Sequence, residues 1–359
     1  MRVLHLPTNT ASIPFHTVRG LSEIGVDAQG LVIGNPIIHS AEGLNVIEVP
    51  GAQWTPPWMW MQLVKCFQFV KWATWADILH WYFDSSMLPF GIDLKFIGLL
   101  DKPAVVEWLG SDIRIPEVEF ADNPYYKSVF HNGYEHQSEN YQRSRQTQQT
   151  FIKQGFLPVV IPCMIQYIQR DICPRFYKIG QRIMLTDFAP RYPDPNKKKP
   201  LVVHAPTAPI AKGTAAVLRA VDKLKEKYEF EFVLIQGMPR KKALEVIGEA
   251  DIFLDQFIIG YYGMAALEAM AYGKPVLCYV KPSVLKEEPP NLPIVNANPD
   301  NLVEMLEPLL QDGRLRLDLG KHGRAHVEKY HDAVKLAYQL VDIYQEVIQG
   351  KRSCTPSPI

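Results

Sequence analysis

The sequence predicts an α/β protein with two domains in series, each built around a parallel sheet. Three observations support this fold class. The chain of 359 residues is long enough for two domains of about 150 residues each. Short apolar strands alternate with helices in both halves, which is typical of βαβ units and therefore of parallel strands. Residues 190–200 contain four Pro and three consecutive Lys, a composition typical of a linker.

The strands and helices follow from apolar runs and from the residues that flank them. In the first half, strands are expected over residues 3–6, 28–33, 77–82 and 104–109. A helix is expected over residues 15–24, because Gly25 follows it at the usual position of a C-terminal cap. In the second half, strands are expected over residues 201–204, 230–235, 252–254 and 275–279. Helices are expected between these strands, over residues 214–227, 241–250 and 264–272.

The last helix is expected over residues 332–348 and has two apolar stripes at helical spacing. The stripes are Val334, Ala337, Val341, Tyr344 and Ile348 on one face, and Leu336, Leu340, Ile343 and Val347 on the other. Such a helix is able to cross back to the N-terminal domain or to pack on its own domain alone, and the pattern leaves both open. The domains are expected at 1–193, with 333–349 as a further part if the helix crosses, and at 200–332, followed by a disordered tail at 350–359.

The composition excludes several classes of protein. The chain is 47% apolar and 21% charged, which excludes a disordered protein. It has 38 basic and 38 acidic residues, and zero net charge disfavours nucleic-acid binding. The five Cys form no CxxC pair, which argues against a zinc or dithiol site and favours a reducing cytoplasm. The N-terminal apolar run is too short for a signal peptide, and no apolar stretch of 18 residues is present.

Two segments of the second half combine a strand end with a helix start, where ligands bind in open α/β sheets. In residues 201–214 (LVVHAPTAPIAKGT), Lys212 is able to neutralise a phosphate, and Gly213 leaves room for a close approach. In residues 251–279, the helix that begins near Met264 has free N–H groups in its first turn, which suit an anion. These segments together predict a phosphate-binding site.

The same residues also have purely structural interpretations. Glu268, one helical turn after Met264, is able to accept hydrogen bonds from two ribose hydroxyl groups or to form a salt bridge of its helix. The glycines are explained equally well by loop geometry. His204, at a strand end, is more typical of a core histidine with satisfied hydrogen bonds than of a ligand-binding residue.

Three motifs, in order and at suitable spacing, resemble those of the family 4 glycosyltransferases. They are VVEWLGSDIR at residues 105–114, the Lys-Gly pair at 212–213, and EAMAYGKPV at 268–276 with Gly263 five residues before its Glu. The resemblance covers most of the chain and is strongest over residues 201–280. It implies the GT-B architecture, in which two Rossmann-like domains face a central cleft. It also implies a nucleotide-sugar donor bound by the C-terminal domain and an acceptor bound by the N-terminal domain.

The resemblance implies a role for each matching residue. The catalytic candidates are Lys212, which would hold the donor diphosphate, and Asp112, on the N-terminal wall of the cleft. The implied donor-binding residues are Thr207, Lys212, Gly213, Asp255, Gln256, Gly263, Met264, Ala265 and Glu268. Gly260 stands where the family usually has a second Glu that touches the donor sugar, and Thr207 stands where it usually has an Arg. Asp255 and Gln256 are candidates to supply the missing polar contacts.

The resemblance therefore implies a retaining hexosyltransferase that uses a nucleotide sugar and a saccharide or lipid-linked acceptor, in polysaccharide or glycolipid assembly. We expect no cofactor and no metal, because the sequence has neither an Asp-x-Asp motif nor a His/Cys cluster. Two alternatives stay open. One is a non-catalytic glycosyltransferase-like subunit, which the departures at Gly260 and Thr207 favour. The other is a different GT-B enzyme, such as a nucleotide-sugar epimerase.

The first half also contains a tryptophan-rich helix. Six of the seven Trp lie between positions 54 and 81. The helix is expected over residues 58–75, with Leu63, Phe67 and Val70 on the face that we expect to meet the sheet. The other apolar face carries Trp58, Met61, Phe69 and Trp72. That face suits either a fully buried helix or a membrane surface. Membrane contact would place a cytoplasmic protein on the inner face of the membrane and would favour a lipid-linked acceptor.

Overall fold

The structure is a computed structural model that describes residues 1–34, 38–48 and 53–350. The chain divides into two compact units. Unit 1 contains Met1–Ile115, Glu139–Met184 and the residues from Ala333 onwards, and unit 2 contains Pro116–Ser138 and Leu185–Asp332. The expected disordered tail, apart from Gly350, lies outside the described residues.

The strands belong to two parallel sheets. Within the described residues they are β1 Arg2–Leu6, β2 Asp27–Ile33, β3 Asn45–Ile47, β4 Ile78–Tyr82, β5 Ala104–Trp108, β6 Leu157–Val160, β7 Tyr177–Lys178, β8 Leu201–His204, β9 Glu231–Leu234, β10 Ile252–Leu254, β11 Val276–Cys278 and β12 Ile294–Asn296. The strand order is β3-β2-β1-β4-β5-β6-β7 in unit 1 and β12-β11-β10-β8-β9 in unit 2. All of the described pairings are parallel, so the predicted fold class is confirmed.

Helices cover these sheets. Within the described residues they are α1 Ile13–Glu23, α2 Pro56–Trp75, α3 Ile92–Leu99, α4 Pro116–Asp122, α5 Pro124–Phe130, α6 Tyr141–Lys153, α7 Pro209–Lys212, α8 Thr214–Lys225, α9 Arg240–Glu249, α10 Met264–Ala271, α11 Pro282–Leu285, α12 Leu302–Gln311, α13 Gly313–Tyr330 and α14 Ala333–Ile348. The predicted helices α1, α2, α8, α9, α10 and α14 are present with ends within a few residues of those expected.

The final helix, α14, packs on α1 and belongs to unit 1. Residues from both of its apolar stripes are buried in the core of that unit, among them Ala337, Leu340, Ile343 and Tyr344. Of the two arrangements that the stripes allow, the structure therefore has the one in which the chain returns to its N-terminal unit. The burial of both stripes supplies the apolar area that stabilises this return.

A buried ionic network connects the sheet of unit 1 to α14. Glu107 of β5 accepts hydrogen bonds of 2.6 and 2.9 Å from Arg182 and lies 3.0 Å from Nε2 of His80 on β4. Nδ1 of His80 is 2.5 Å from the hydroxyl of Tyr344. Burial by itself raises the pKa of Glu107, but the charge and hydrogen bonds of Arg182 lower it to about 2. The ion pair thus keeps a fully buried carboxylate charged.

Unit 2 has a point at which its strand order reverses. The sheet runs from β12 through β11 to β10 and then passes to β8, and Leu254 of β10 pairs with His204 of β8. The chain continues from β10 to β11 on one side of this junction and from β8 to β9 on the other. In open parallel sheets this divergence leaves a crevice at the carboxyl ends of the strands, where ligands bind.

The segment Pro116–Ser138 lies in unit 2, although the expected domain division assigns it to the first domain. Its Glu135 carboxylate accepts hydrogen bonds from the N–H groups of Ile210 (2.7 Å) and Ala211 (2.9 Å) at the start of α7. Tyr126 and Tyr134 of the segment form an apolar cluster with Ala211 and Ile258. These contacts, between residues far apart in sequence, attach the segment to the loops that follow β8 and β10.

The faces of α2 differ from those expected. Phe69 is only 1% exposed, whereas Leu63 and Phe67, which we expected to meet the sheet, are 64% and 68% exposed. The buried stripe is instead Lys65, Phe69 and Ala73, at i, i+4 and i+8. Trp58, Met61 and Trp72 are partly buried. Because α2 is apolar around most of its circumference, its periodicity could not select the inward face. Among the described residues, no helix is both long enough and apolar enough to cross a membrane.

Candidate active site

Lys212 and Asp255 follow the two strands at which the strand order of unit 2 reverses. Lys212 is the last residue of the short helix α7 after β8, and Asp255 directly follows β10. Gly213 has φ of +76°, and a Cβ atom there would lie 3.2 Å from Cβ of Phe257. The turn after Lys212 therefore requires glycine for its backbone conformation and for the approach of the second loop.

The carboxylate of Asp255 joins these two loops. Its Oδ1 lies 3.0 Å from Nζ of Lys212, and its Oδ2 accepts a 2.7 Å hydrogen bond from the N–H of Gly263. Asp255 is 1% exposed, whereas 13% of the Lys212 side chain reaches solvent. The structure thus brings together three of the predicted site residues. Their role in binding a donor stays a prediction.

The helix α10 starts beside this ion pair, because Gly263, which donates to Asp255, immediately precedes it. The hydrogen bonding of its first turn includes a 3.1 Å bond from the N–H of Ala266 to the carbonyl of Gly263. Met264 and Ala265 come before Ala266, at positions where a helix has no acceptor of its own for the N–H groups. The partial positive charge of the helix start adds to the charge of Lys212, so the arrangement favours an anion.

Glu268 forms an ion pair with an arginine that the sequence motifs do not include. Nη2 of Arg240, the first residue of α9, lies 2.6 Å from Oε1 of Glu268, which is 3% exposed. The salt bridge considered for Glu268 therefore exists, but with a different helix. One sequence signal could have found Arg240, since it is a cation at the start of the helix that follows β9. The structure makes β9 a neighbour of β8, which brings this helix start to the same end of the sheet.

His204 has the character of a core residue. Its Nδ1 lies 2.8 Å from the carbonyl oxygen of Leu254, and its Nε2 lies 3.0 Å from the hydroxyl of Thr214. A carbonyl oxygen only accepts, so Nδ1 carries the proton and Nε2 accepts from Thr214. Burial, with a smaller contribution from the positive charge of Lys212, lowers the pKa of His204 to about 4 against the opposing hydrogen bond to Leu254. The imidazole is therefore neutral at pH 7.

Two other predicted donor-binding residues have less direct positions. Gln256 is 6% exposed, and its side-chain amide donates to the carbonyl of Tyr261, so it braces the loop before α10. Thr207 is exposed on the loop that leads into α7. Their donor contacts stay a prediction.

Gly260 occupies a position that strongly favours glycine. Its φ is +79°, and a Cβ atom there would lie 3.0 Å from Cδ of Lys281 and 3.2 Å from Nδ2 of Asn123. Lys281 is 1% exposed and forms ion pairs with Glu119 (2.7 Å) and Asp122 (3.0 Å). The family resemblance leads one to expect a second Glu at this position. The backbone conformation and the packing of this loop favour Gly instead.

Asp112, the candidate on the N-terminal side, lies in unit 1 and anchors its own loop. Its carboxylate accepts hydrogen bonds from the N–H groups of Leu109 (3.0 Å), Gly110 (2.8 Å) and Ile113 (3.1 Å). Burial raises the pKa of Asp112 to about 7, against the opposing effect of these donors. The catalytic role of Asp112 stays a prediction. Separately, the described residues contain no group of three or more His, Cys, Asp or Glu placed to hold a metal ion.

Comparison with known proteins supports the fold and the class of reaction. Residues 231–326 match the family described as glycosyl transferases group 1. The structure is similar to sucrose-phosphate synthase from Thermosynechococcus elongatus, with a TM-score of 0.63 and 13% identity over 98% of this chain and 100% of that one. The chain has the GT-B fold, with a glycosyltransferase group 1 match over residues 231–326.

Two further structures are similar to this chain. WaaG, a glycosyltransferase involved in lipopolysaccharide biosynthesis, has a TM-score of 0.54 and 13% identity over 96% of this chain and 99% of that one. Anabaena Alr3699/HepE, in complex with UDP and glucose, has a TM-score of 0.53 and 10% identity over 96% of this chain and all of that one. No curated protein sequence matches the chain. The family match contains α10 and Arg240, whereas Lys212 precedes it.

Proposed function

We propose that this glycosyltransferase moves a hexose-type sugar from a nucleotide-sugar donor to a saccharide or lipid-linked acceptor, in polysaccharide or glycolipid assembly. The observation that carries the proposal is the convergence of Lys212, the N–H of Gly263 and the start of α10 at the ends of β8 and β10. The likeness to HepE, which is known in complex with UDP-glucose, supports a sugar nucleoside diphosphate as the donor class.

Lys212 and the start of α10 would stabilise the departing diphosphate. During glycosyl transfer, negative charge grows on the leaving oxygen while the sugar gains oxocarbenium character. Donors that are fixed in place before the reaction act on this charge without reorganisation. In the same proposal, Glu268 binds the ribose hydroxyl groups and Arg240 orients its carboxylate. The proposal includes retention of anomeric configuration and no metal.

A thermal-shift panel of nucleoside diphosphates and nucleotide sugars tests donor binding. A ligand at a hundredfold excess over its Kd stabilises the folded chain by about 2.7 kcal/mol, which is readily measured as a rise in Tm. The best donor is then incubated with saccharide and lipid-linked acceptors, and NMR of the product gives its anomeric configuration. The absence of any stabilising nucleotide contradicts the proposal. Binding without transfer supports the non-catalytic subunit, and conversion of the donor sugar alone supports an epimerase.

We further propose that unit 1 contacts a lipid surface through α2 and the neighbouring α3, which meet through the rings of Phe69 and Phe96, 6.1 Å apart. The exposed apolar residues of this region are Met59, Trp60, Leu63, Phe67 and Val70 on α2, and Phe90, Ile92, Leu99 and Leu100 around α3. Residues 56–75 contain no acidic residue, and Asp93 of α3 is buried. The exposed Lys71 and Lys95 therefore complement anionic headgroups, and aromatic rings beside lysines suit a membrane interface.

Co-sedimentation with phosphatidylcholine vesicles that contain phosphatidylglycerol tests this contact. Each exposed ring is worth about 1–2 kcal/mol when it enters the lipid interface, so Trp60→Ser with Phe67→Ser should weaken binding by more than about tenfold. Tyr338→Ser is the matched control, because it removes an aromatic residue that is 62% exposed on α14. A parent protein that stays in the supernatant at every lipid composition contradicts the lipid contact.

A further inference from the structure

We infer that Asp255 is an internal counter-anion that competes with the donor diphosphate for Lys212 and thereby limits how tightly the diphosphate is held. The inference rests on the proposed donor site and concerns a residue whose carboxylate already holds the cation of that site. It gives Asp255 a role opposite to that of a donor-binding residue.

The geometry places the carboxylate beside the position proposed for the diphosphate. Asp255 lies 3.0 Å from the ammonium group of Lys212 and 2.7 Å from the N–H of Gly263. A Cβ atom on Gly263 would lie 3.5 Å from Nζ of Lys212 and 3.6 Å from each oxygen of Asp255. The lysine, the carboxylate and the helix start therefore share one small volume, and a phosphate at the helix start competes with Asp255 for the ammonium group of Lys212.

The two partners of this ion pair differ in how they are held. Asp255 has a short side chain that is 1% exposed, and its carboxylate accepts the 2.7 Å hydrogen bond from the N–H of Gly263, which keeps it at the start of α10. Lys212 has a long side chain that is partly exposed. When a diphosphate enters, Lys212 therefore turns towards the phosphate, and the carboxylate of Asp255 stays behind as a negative charge next to it.

This residual charge weakens the binding of the donor and of the nucleoside diphosphate product alike. Like charges a few ångströms apart in a partly buried site repel each other appreciably. The consequence for the enzyme is faster release of the diphosphate product. Without the carboxylate, Lys212 and the start of α10 would together retain the product.

The variant Asp255→Asn tests the inference, because it removes the charge but keeps the shape and an acceptor for the N–H of Gly263. Its affinity for UDP, GDP and inorganic pyrophosphate should rise by about tenfold. Its affinity for uridine, which has no phosphate, should not change. The donor KM should fall and product inhibition should strengthen, while kcat stays equal or falls. If the carboxylate were only structural, the substitution would change the affinities for phosphate-bearing and phosphate-free ligands to the same extent.

Asp251→Asn is the matched control. Asp251 directly precedes β10 at its opposite end, is 3% exposed and pairs with Lys197 at 2.5 Å. The Asp251→Asn substitution removes one negative charge at the other end of β10. An unchanged affinity for UDP in this variant therefore excludes a general effect of net charge.

Unchanged or weaker binding of nucleoside diphosphates by Asp255→Asn, with Lys212→Ala still reducing binding, overturns the inference and leaves the proposed function intact. If the parent binds no nucleotide at all, the proposed function itself is contradicted. Crystal structures of the parent with and without UDP or GDP provide a test that needs no variant. The inference requires the Lys212–Asp255 ion pair to open when the nucleotide is bound, and a pair that stays at 3.0 Å overturns it.

Discussion

Replacing Lys212 with Ala is expected to lower kcat/KM by at least about 100-fold, because one preorganised electrostatic contact to a leaving group contributes about 3 kcal/mol. The substitution removes the ammonium group that lies 3.0 Å from Asp255 at the end of β10. In the proposed mechanism, the same ammonium group faces the departing diphosphate. The loss should therefore appear both in the affinity for nucleoside diphosphates and in the rate.

The structure adds a second contribution to this magnitude. Without Lys212, the carboxylate of Asp255 loses its cationic partner and keeps only the hydrogen bond from Gly263. The loss of one partner of a buried polar group costs about 1–3 kcal/mol of folding free energy, and the remaining charge repels the diphosphate. The double variant Lys212→Ala with Asp255→Asn should therefore recover the Tm and part of the diphosphate affinity, but not the rate.

The assay is release of nucleoside diphosphate at saturating acceptor, with calorimetry of nucleotide binding and a thermal melt of each variant. Lys223→Ala, which removes an exposed lysine from α8, is the matched control and should behave like the parent. A folded Lys212→Ala protein with near-parental kcat/KM refutes the assignment of the donor site.

Three further predictions follow from the same structure. Glu268→Ala should weaken nucleoside diphosphate binding by about 10–100-fold, as expected for a lost buried hydrogen-bond partner of the ribose, and unchanged calorimetric affinity would show that the Arg240–Glu268 pair is only structural. EDTA should leave the transfer rate intact, and a loss that Mn²⁺ or Mg²⁺ restores would contradict a metal-free mechanism. The pKa of Glu107 is lowered from 4.5 to about 2 in the fold, so its stabilisation is complete above pH 4.5 and is lost as the pH falls towards 2. Glu107→Gln should lower the free energy of unfolding by about 3–5 kcal/mol at neutral pH, and urea unfolding should then depend less on pH between 4.5 and 2. An unchanged pH dependence would mean that other carboxylates control it.

The sequence alone determined the elements that carry the candidate site. The strands expected over residues 201–204 and 252–254 are β8 and β10, and α10 begins at Met264 as expected. These elements were predictable because a buried strand and a helix start are each encoded within a few neighbouring residues. The order of strands and helices, together with the motifs, was also sufficient to predict the GT-B fold.

The tertiary structure alone decided how the charges of the site are paired. Lys212 meets Asp255 and Arg240 meets Glu268 across 43 and 28 residues of chain. The first pair exists because β8 and β10 are neighbours in the sheet, which no local pattern encodes. The sequence therefore predicted a cation and a helix start, but it could not show that a carboxylate already lies between them.

The same limit explains α2 and α14. Helical spacing shows which residues share a face, but apolar burial is non-directional, so spacing does not show which neighbour covers that face. On α2, packing against Phe96 buried Phe69 and left Phe67 exposed. On α14, the contact of Tyr344 with His80 and burial on both stripes placed the helix in unit 1. In both helices the composition supplied the apolar surface, and the surrounding fold chose which part of it to bury.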